Sequence, residues 1–138
     1  MSYAGLPDIL LSRLRQRGPE TRIAVVGASN DPNKYGNIIV RDLHGRGYTV
    51  LPVNPREREI AGLRVYPTVA DVPDPVHIVD FVTPPHITEQ VLGQLDPAKA
   101  EVVFLQNGSW EQATLNLARG RFPVVVHDSC IMVLARTA

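Results

Sequence analysis

The sequence predicts one α/β domain whose parallel sheet of about five strands is wound on both faces by helices. Short apolar runs alternate with helical segments at intervals of about 25 residues, a pattern that indicates βαβ crossovers. The right-handed crossover rule leaves few topologies, of which the doubly wound, Rossmann-type sheet is the commonest. Ligands of such a fold bind beyond the carboxyl ends of the strands, where the strand order reverses.

The first half of the chain contains the first two strand signals and two helix signals. Apolar residues at helical spacing predict an N-terminal helix over Leu6–Arg17, which closes at a Gly-Pro pair. Arg22–Gly27 is a short apolar run ending in glycine, as expected of a buried parallel strand. Asn37–Arg46 has helical spacing again, and Tyr48–Val53 predicts the second strand. Leu63–Tyr66 is compatible with a short strand or with an extended connection.

The second half repeats the alternation. Val76–Val82 predicts a strand, and the prolines that follow it open a helix at about His86–Leu95. Glu101–Leu105 predicts the next strand. The segment Ser109–Gln112 has the spacing of a capping box, which predicts a helix over Trp110–Arg119.

These elements fill a single domain. Pro123–Val126 is the last clear strand, and no repeat, linker or low-complexity stretch divides the chain. We therefore expect one domain over residues 1–138, with its sheet core at about 21–133 and the first helix at about 6–17.

Composition excludes several classes of partner. Lys plus Arg and Asp plus Glu each number 14, so no overall field favours nucleic acid or anionic lipid. The apolar runs fall far short of the ~20 residues that cross a bilayer, and the N-terminus lacks the basic start of a signal peptide. We expect a cytoplasmic protein without membrane association. The single cysteine, Cys130, and the scattered histidines predict no disulfide and no metal site.

The first strand-to-helix turn has features of a phosphate site. Gly27 follows the strand directly, Ser29 adds a small hydroxyl, and the next helix offers its unpaired N–H groups. Lys34 lies where a pyrophosphate needs a counter-charge. Only the first glycine of the dinucleotide fingerprint G-x-G-x-x-G is present. This disfavours binding of an NAD pyrophosphate in the standard way. The alternative is a plain turn with a solvated lysine.

The end of the second strand separates cofactor classes. An NAD site uses an Asp or Glu there to bind the ribose hydroxyls, whereas this chain has Arg56 after Asn54 and Pro55. A cation suits the phosphorylated ribose of NADP or coenzyme A. The alternative is a loop arginine paired with Glu57 or Glu59.

Four motifs together resemble the stand-alone CoA-binding domain family, which is similar to the N-terminal domain of the succinyl-CoA synthetase alpha subunit. The motifs are G-A-S-N-D-P-x-K (Gly27–Lys34), G-Y-x-V-x-P-V-N-P (Gly47–Pro55), G-x-x-V-Y-P-T (Gly62–Thr68) and D-S-C-I-M (Asp128–Met132). The resemblance covers about Thr21–Val133.

The resemblance implies a coenzyme A or acyl-CoA site at four strand ends. Its residues are Gly27, Ala28, Ser29 and Lys34 toward the phosphates; Val53, Asn54, Pro55 and Arg56 toward the adenosine and its 3′-phosphate; Val82, Thr83 and Pro84 toward the adenine or pantetheine; and Gln106, Asn107 and Gly108 at the next strand end. The synthetases carry a second domain with a phosphorylated histidine, for which this chain has no room, so their activity does not carry over.

No catalytic residue is predicted. The segment His127–Cys130 gathers hydrolase residue types, but neighbouring side chains diverge and cannot form a relay. His77 is expected to be a packed strand-end residue, and His86 begins a helix near the cleft. We predict a non-catalytic CoA-binding protein: a carrier, a sensor or a subunit of an acyl-CoA enzyme. The alternatives are the NADP-binding domain of a reductase or regulator, and a protein-binding fold with a vestigial pocket. The sequence does not identify a protein partner.

Cys130 has two interpretations. It follows the last strand and so falls near the cofactor rim, where a helix beginning beside it would favour a reactive thiolate. Its apolar neighbours favour a buried, inert thiol instead.

Overall fold

The computed structural model describes Tyr3 and residues 5–138. Its centre is a five-stranded sheet in the order β2-β1-β5-β6-β7, in which every neighbouring pair is parallel. The strands are β1 (Arg22–Val26), β2 (Thr49–Val53), β5 (Ile78–Phe81), β6 (Val102–Leu105) and β7 (Val125–Val126). The order reverses between β1 and β5, which is where a doubly wound sheet opens its ligand crevice.

Five α-helices among the described residues cover both faces of the sheet, which confirms the predicted Rossmann-type α/β fold. They are α1 (Asp8–Arg15), α2 (Tyr35–Gly45), α3 (Pro85–Gln94), α4 (Gln112–Arg121) and α5 (Ile131–Thr137). One apolar cluster joins α1, α2 and α5 to one sheet face, and a second joins α3 and α4 to the other. None of the described helices is long and apolar enough to cross a bilayer.

Alternate residues of each strand pack into the two apolar clusters. In β1, Val25 packs toward the layer of α1, α2 and α5, and Val26 packs toward α3 and α4. Helices cover both faces, so the strands are made mostly of apolar residues, and this explains why the sequence located them.

The Leu63–Tyr66 segment forms a short hairpin beside the sheet. Two-residue strands β3 (Glu59–Ile60) and β4 (Leu63–Arg64) pair antiparallel. Tyr66 then forms an isolated parallel bridge with Val53 at the end of β2. The hairpin therefore covers the edge of β2 and brings the chain back to the carboxyl rim.

The fourth helix begins later than predicted. Its N-cap is Glu111, whose carboxylate accepts the Thr114 N–H while the Glu111 N–H donates to Thr114 Oγ1 at 3.1 Å. A capping box at Ser109 is therefore wrong: the Ser109 hydroxyl donates to the Gln106 carbonyl at 2.7 Å. A carboxylate also suits the positive end of the helix better than a serine hydroxyl does.

Candidate functional site

A cavity lies at the carboxyl ends of β1 and β2, against α3. This large cavity has a volume of about 580 Å³, within the range of small-molecule sites. Five predicted site residues line it: Gly27, Val53, Asn54, Pro55 and Thr83. The structure therefore brings together three of the four strand ends implied by the motifs.

Two further walls of the large cavity were not predicted as site residues. The turn after the hairpin supplies Pro67, Thr68, Val69 and Ala70. One face of α3 supplies Ile87, Gln90, Val91 and Gln94, which recur at helical spacing. The first wall belongs to the motif Gly62–Thr68, so a signal was present. The second depends on how α3 packs across the sheet.

Gly27 is fixed by its backbone and by its neighbours. Its φ is +95°, a conformation that side chains other than glycine rarely adopt. A Cβ there would lie 2.9 Å from Thr83 Cγ2 and 3.0 Å from Val82 Cγ2. Gly27 therefore lets the ends of β1 and β5 approach each other at the floor of the crevice.

Gly36 is a site residue that the sequence analysis missed. A Cβ on Gly36 would lie 2.1 Å from the Gly27 carbonyl oxygen, so no other residue fits without moving α2. In the dinucleotide fingerprint the third glycine permits this close helix–strand packing. Its signal was a second glycine at the far end of the turn, at a spacing longer than the fingerprint allows.

Side-chain amides hold the Gly27–Lys34 loop in place. Asn37 Nδ2 donates to the Ser29 carbonyl at 2.9 Å, and Arg41 Nε donates to Asn37 Oδ1 at 2.6 Å. Asn54 Nδ2 donates to the Ala28 carbonyl at 2.8 Å. The loop is thus set before any ligand arrives, which lowers the entropic cost of binding.

The side chain of Asn54 chiefly holds the loops after β1 and β2 together through hydrogen bonds. Its Nδ2 bonds to Ala28, and its Oδ1 accepts the Arg56 N–H at 2.8 Å. The side chain lines the large cavity while its amide joins the loops after β1 and β2. Ala28 is fully buried, so its side chain belongs to the core.

The two cations that were predicted as site residues have no side-chain partner among the described residues. Neither Lys34 nor Arg56 makes a side-chain hydrogen bond or ion pair within the described residues, and both are exposed. The pairing of Arg56 with Glu57 is not formed, because Glu57 Oε2 accepts Asn30 Nδ2 at 2.7 Å. Both cations therefore remain available to an anion.

The N-terminus of α2 also lacks a counter-charge of its own. Lys34 occupies the N-cap position without a side-chain cap, and the first turn contains no acidic residue. A cation at the positive end of a helix is unfavourable. A bound phosphate would interact favourably with the positive end of the helix, and it would accept hydrogen bonds from the unpaired N–H groups.

A second, smaller cavity lies on the opposite face of the sheet. This small cavity has a volume of about 130 Å³ and is lined by Tyr35, Val82, Gln106, Asn107 and Cys130. It collects the predicted residues of the β5 and β6 ends that face α2 and α5. Cys130 is half-buried at this wall, which does not fit the interpretation as an enclosed core thiol.

Six predicted site residues line neither cavity: Ala28, Ser29, Lys34, Arg56, Pro84 and Gly108. Ser29 Oγ accepts the Asp31 N–H at 3.0 Å within the phosphate loop. Pro84 is the N-cap of α3, and Gly108 makes a turn with φ +89°. These two have structural positions that need no ligand.

The histidines do not assemble a catalytic group. His77 is buried, and its Nδ1 accepts the Arg22 N–H at 3.0 Å, while desolvation lowers its pKa. His127 Nε2 lies 3.1 Å from the Arg119 guanidinium. Its Nδ1 approaches Asp128 Oδ2 to 2.8 Å without hydrogen-bond alignment. Within residues 3 and 5–138, no cluster of His, Cys, Asp and Glu is arranged to hold a metal.

Asp80 is the unexpected charge-bearing residue of the core. It is fully buried in β5 between Val25 of β1 and Phe104 of β6. Neither carboxylate oxygen has a hydrogen-bond partner among the described residues. Burial raises the pKa of Asp80 well above its ordinary value, so the side chain is held in its neutral form over a wider pH range than an exposed Asp.

Known proteins resemble this chain in sequence. A family model described as a CoA binding domain matches residues 21–136. The alpha subunit of ADP-forming acetate–CoA ligase II of Pyrococcus furiosus is 41% identical over 71 residues, which are 51% of this chain and 16% of that subunit. The uncharacterised protein YneT of Bacillus subtilis is 26% identical over 112 residues, covering 81% of this chain and 83% of YneT.

A solved structure has a similar fold. A hypothetical protein from Pyrococcus horikoshii OT3 is 32% identical, with a TM-score of 0.82 over 96% of this chain and 92% of that one. This chain therefore spans a small part of the ligase subunit but nearly all of the P. horikoshii protein. The family match, the glycine turn and the rim cavities agree with the resemblance predicted from the motifs. The chain belongs to the CoA-binding domain family.

Proposed function

We propose that the protein binds coenzyme A without catalysing a reaction, as a carrier, a sensor or a subunit of an acyl-CoA enzyme. The observation that carries the proposal is the large cavity, whose walls are three of the family's motif segments. The unpaired cations Lys34 and Arg56 stand on the two loops that border it. A ligand with an aromatic base and several phosphates fits that combination.

Each part of the ligand has a matching part of the site. The adenosine would occupy the large cavity, between the loop after β2 and the face of α3 that lines it. The pyrophosphate would meet the α2 N-terminus and Lys34, where N–H groups and a cation stand together. Arg56 would meet the 3′-phosphate, which distinguishes coenzyme A from its dephosphorylated form.

The absence of catalysis is part of the proposal. Within the described residues, the two cavities are lined by apolar side chains, amides and hydroxyls, together with the Cys130 thiol. None of the four histidines lines either cavity. The ligase relatives are far longer than the segment they share with this chain, so we infer that any acyl transfer would need groups that the described residues do not supply.

Calorimetric titration tests the ligand. We expect coenzyme A to bind with a dissociation constant of about 1 μM or tighter, near −8 kcal/mol. Dephospho-CoA, NADP and NAD are titrated in parallel as controls. If NADP bound more tightly than coenzyme A, the protein would instead be a nicotinamide cofactor domain, which is the alternative function. No heat and no shift of the melting temperature with saturating coenzyme A would overturn the proposal.

A further inference from the structure

A side-chain contact joins the β7–α5 loop, residues 127–130, to the end of α4. Nη2 of Arg119, in the last turn of α4, lies 3.1 Å from Nε2 of His127, the first residue of this loop. A guanidinium has N–H donors and no acceptor. Nε2 of His127 is therefore the acceptor, which means that the imidazole is neutral and has its proton on Nδ1.

The other ring nitrogen of His127 faces a carboxylate. Nδ1 is buried and has no aligned hydrogen-bond partner among the described residues, although Asp128 Oδ2 lies 2.8 Å away. Asp128 itself has φ +57°, in the left-handed region that is unfavourable for residues other than glycine. Such strain is relieved when a loop changes conformation. The imidazole thus stands between a cation at one nitrogen and an anion at the other.

Gain of a proton at His127 exchanges these two partners. An imidazolium has an N–H at both nitrogens, so Nε2 no longer accepts from Arg119, and two cations are left 3.1 Å apart. Attraction to Asp128 grows at the same time, because both members of that pair are then charged. Trp110, the remaining contact of the ring, is uncharged. Both charged neighbours therefore favour the same change, which is loss of the contact with α4.

We propose that His127 is a proton-operated latch: when neutral it ties the β7–α5 loop to α4 through Arg119, and when protonated it releases Arg119 and frees the loop. The consequence falls on Cys130, at the other end of the same loop, which is half-buried in the wall of the small cavity. Release of the loop makes this thiol more accessible. The latch consists of groups of the protein alone, so it does not depend on the proposed function.

Trp110 reports the charge of His127 directly. It is the only tryptophan in the sequence, and its ring meets the His127 ring edge to face with the centroids 4.8 Å apart. An imidazolium in contact with an indole quenches its fluorescence far more than a neutral imidazole does. We expect the fluorescence of the natural protein to fall from about pH 8 to about pH 5, the interval in which histidine side chains gain their charge.

Two matched substitutions assign that change in fluorescence. His127→Gln does not titrate, and its amide oxygen still accepts from Arg119, so its fluorescence should stay constant over the same interval. His44→Gln makes the same change at an exposed histidine in the last turn of α2 and should retain the fall. No fall in the natural protein, or a fall that His127→Gln retains, would overturn the proposal.

The reactivity of Cys130 reports the position of the loop. The reagent is 4,4′-dithiodipyridine, which reacts with thiols at acidic as well as neutral pH, and the single cysteine gives one rate. At each pH the rate of the natural protein is divided by that of His127→Gln, which cancels the ionisation of the thiol itself. We expect this ratio to be near one at about pH 8 and to rise at least about threefold toward pH 5. A ratio that does not change with pH would overturn the proposal.

Arg119→Ala removes the latch and keeps the titrating histidine. Its thiol should react at least about threefold faster than that of the natural protein at about pH 8, where the natural latch is closed. Its Trp110 fluorescence should still fall with pH. A thiol in Arg119→Ala no faster than in the natural protein would show that the contact does not restrain the loop, and the proposal would be wrong. Melting temperatures establish that the variants are folded, and the comparison with His127→Gln decides the outcome if Arg119→Ala is not.

Discussion

Gly36 packs onto the carbonyl of Gly27 so closely that a Cβ on Gly36 would lie 2.1 Å from that oxygen. The contact brings the first turn of α2 to the end of β1, where the phosphate-binding loop begins. The obstacle to any larger residue is backbone, which a rotamer change cannot relieve. One missing methyl group therefore fixes the distance between the helix N-terminus and the crevice.

Gly36→Ala should destabilise the protein and abolish ligand binding. Relieving the contact requires α2 to shift, and overpacking of this kind costs typically about 1–3 kcal/mol. Gly93→Ala is the matched control, since Gly93 lies in α3 with nothing within 4 Å of its Cβ position. That control should gain about 0.5–1 kcal/mol from helix propensity. Urea unfolding measures both; equal effects would contradict the assigned role of Gly36.

Arg56→Ala should discriminate between coenzyme A and dephospho-CoA. A charge-assisted hydrogen bond to phosphate contributes about 1.5–3 kcal/mol, roughly tenfold to a hundredfold in affinity. We expect that loss for coenzyme A and almost none for dephospho-CoA, measured by calorimetry. Arg58→Ala removes the same charge from the same exposed loop and should change neither affinity by more than twofold. A larger loss in Arg58→Ala would assign the 3′-phosphate to that residue.

Lys34→Ala should weaken both ligands together. Lys34 stands at the α2 N-cap, where the phosphates common to coenzyme A and dephospho-CoA would bind. The loss should fall by several-fold between low and high salt, because an exposed cation is screened. If Lys34→Ala affected coenzyme A alone, Lys34 and not Arg56 would be the residue that meets the 3′-phosphate.

Asp80 should make stability fall as pH rises. Its pKa in the fold is raised well above the ordinary value by burial, whereas in the unfolded chain it is about 3.9. Between those two values the folded state keeps a proton that the unfolded state has lost, so its stabilising contribution is lost as pH rises through the folded pKa. Below about pH 4 both states are protonated and the contribution is fully present.

Asp80→Asn isolates this effect, because asparagine has similar shape and does not titrate. We expect the free energy of unfolding of the natural protein, relative to the variant, to decrease as pH rises from about 4 toward the raised pKa of Asp80 in the fold. The comparison cancels groups with the opposite sign, such as Glu101, whose pKa is lowered by its hydrogen bond with Arg13. A constant difference across that range would show that Asp80 does not carry the pH dependence.

The sequence was sufficient for the sheet and for the rim, but not for the walls of the cavities. Buried parallel strands are mostly apolar, so Arg22–Val26 and, despite its Asp80, Ile78–Phe81 were recognisable from local composition. Once the strands are parallel, their carboxyl ends share an edge, which places Gly27, Val53 and Thr83 together. These conclusions need only local patterns and chain connectivity.

The remaining features depend on contacts between distant segments. The close approach of Gly36 to Gly27 and the pairing of Asn30 with Glu57 depend on how the loops pack. The start of α4 depends on which of several polar residues reaches the first turn, and Glu111 does so because Ser109 is hydrogen-bonded to Gln106. Such competition between neighbouring caps cannot be decided from spacing alone.

Cys130 should exchange with CoA disulfide in the native protein. The thiol is half-buried at the wall of the small cavity and directly precedes α5. The Cys130 thiolate would attack one sulfur of the disulfide, forming a mixed disulfide and releasing one coenzyme A thiolate. The proximity supplied by a bound adenosine end should make this exchange at least tenfold faster than exchange with glutathione disulfide, which has no nucleotide to hold it.

Intact mass decides the outcome. One CoA adduct per chain is expected, removed by reductant and absent from Cys130→Ser. The Val91→Phe variant, with its large cavity filled, should lose the rate advantage of CoA disulfide over glutathione disulfide while keeping the slower reaction with both. That loss would tie the reactivity of the thiol to recognition of the nucleotide end. If only denatured protein reacts, the loop before α5 covers the thiol more tightly than its position at the cavity wall indicates. The thiol then has no part in binding.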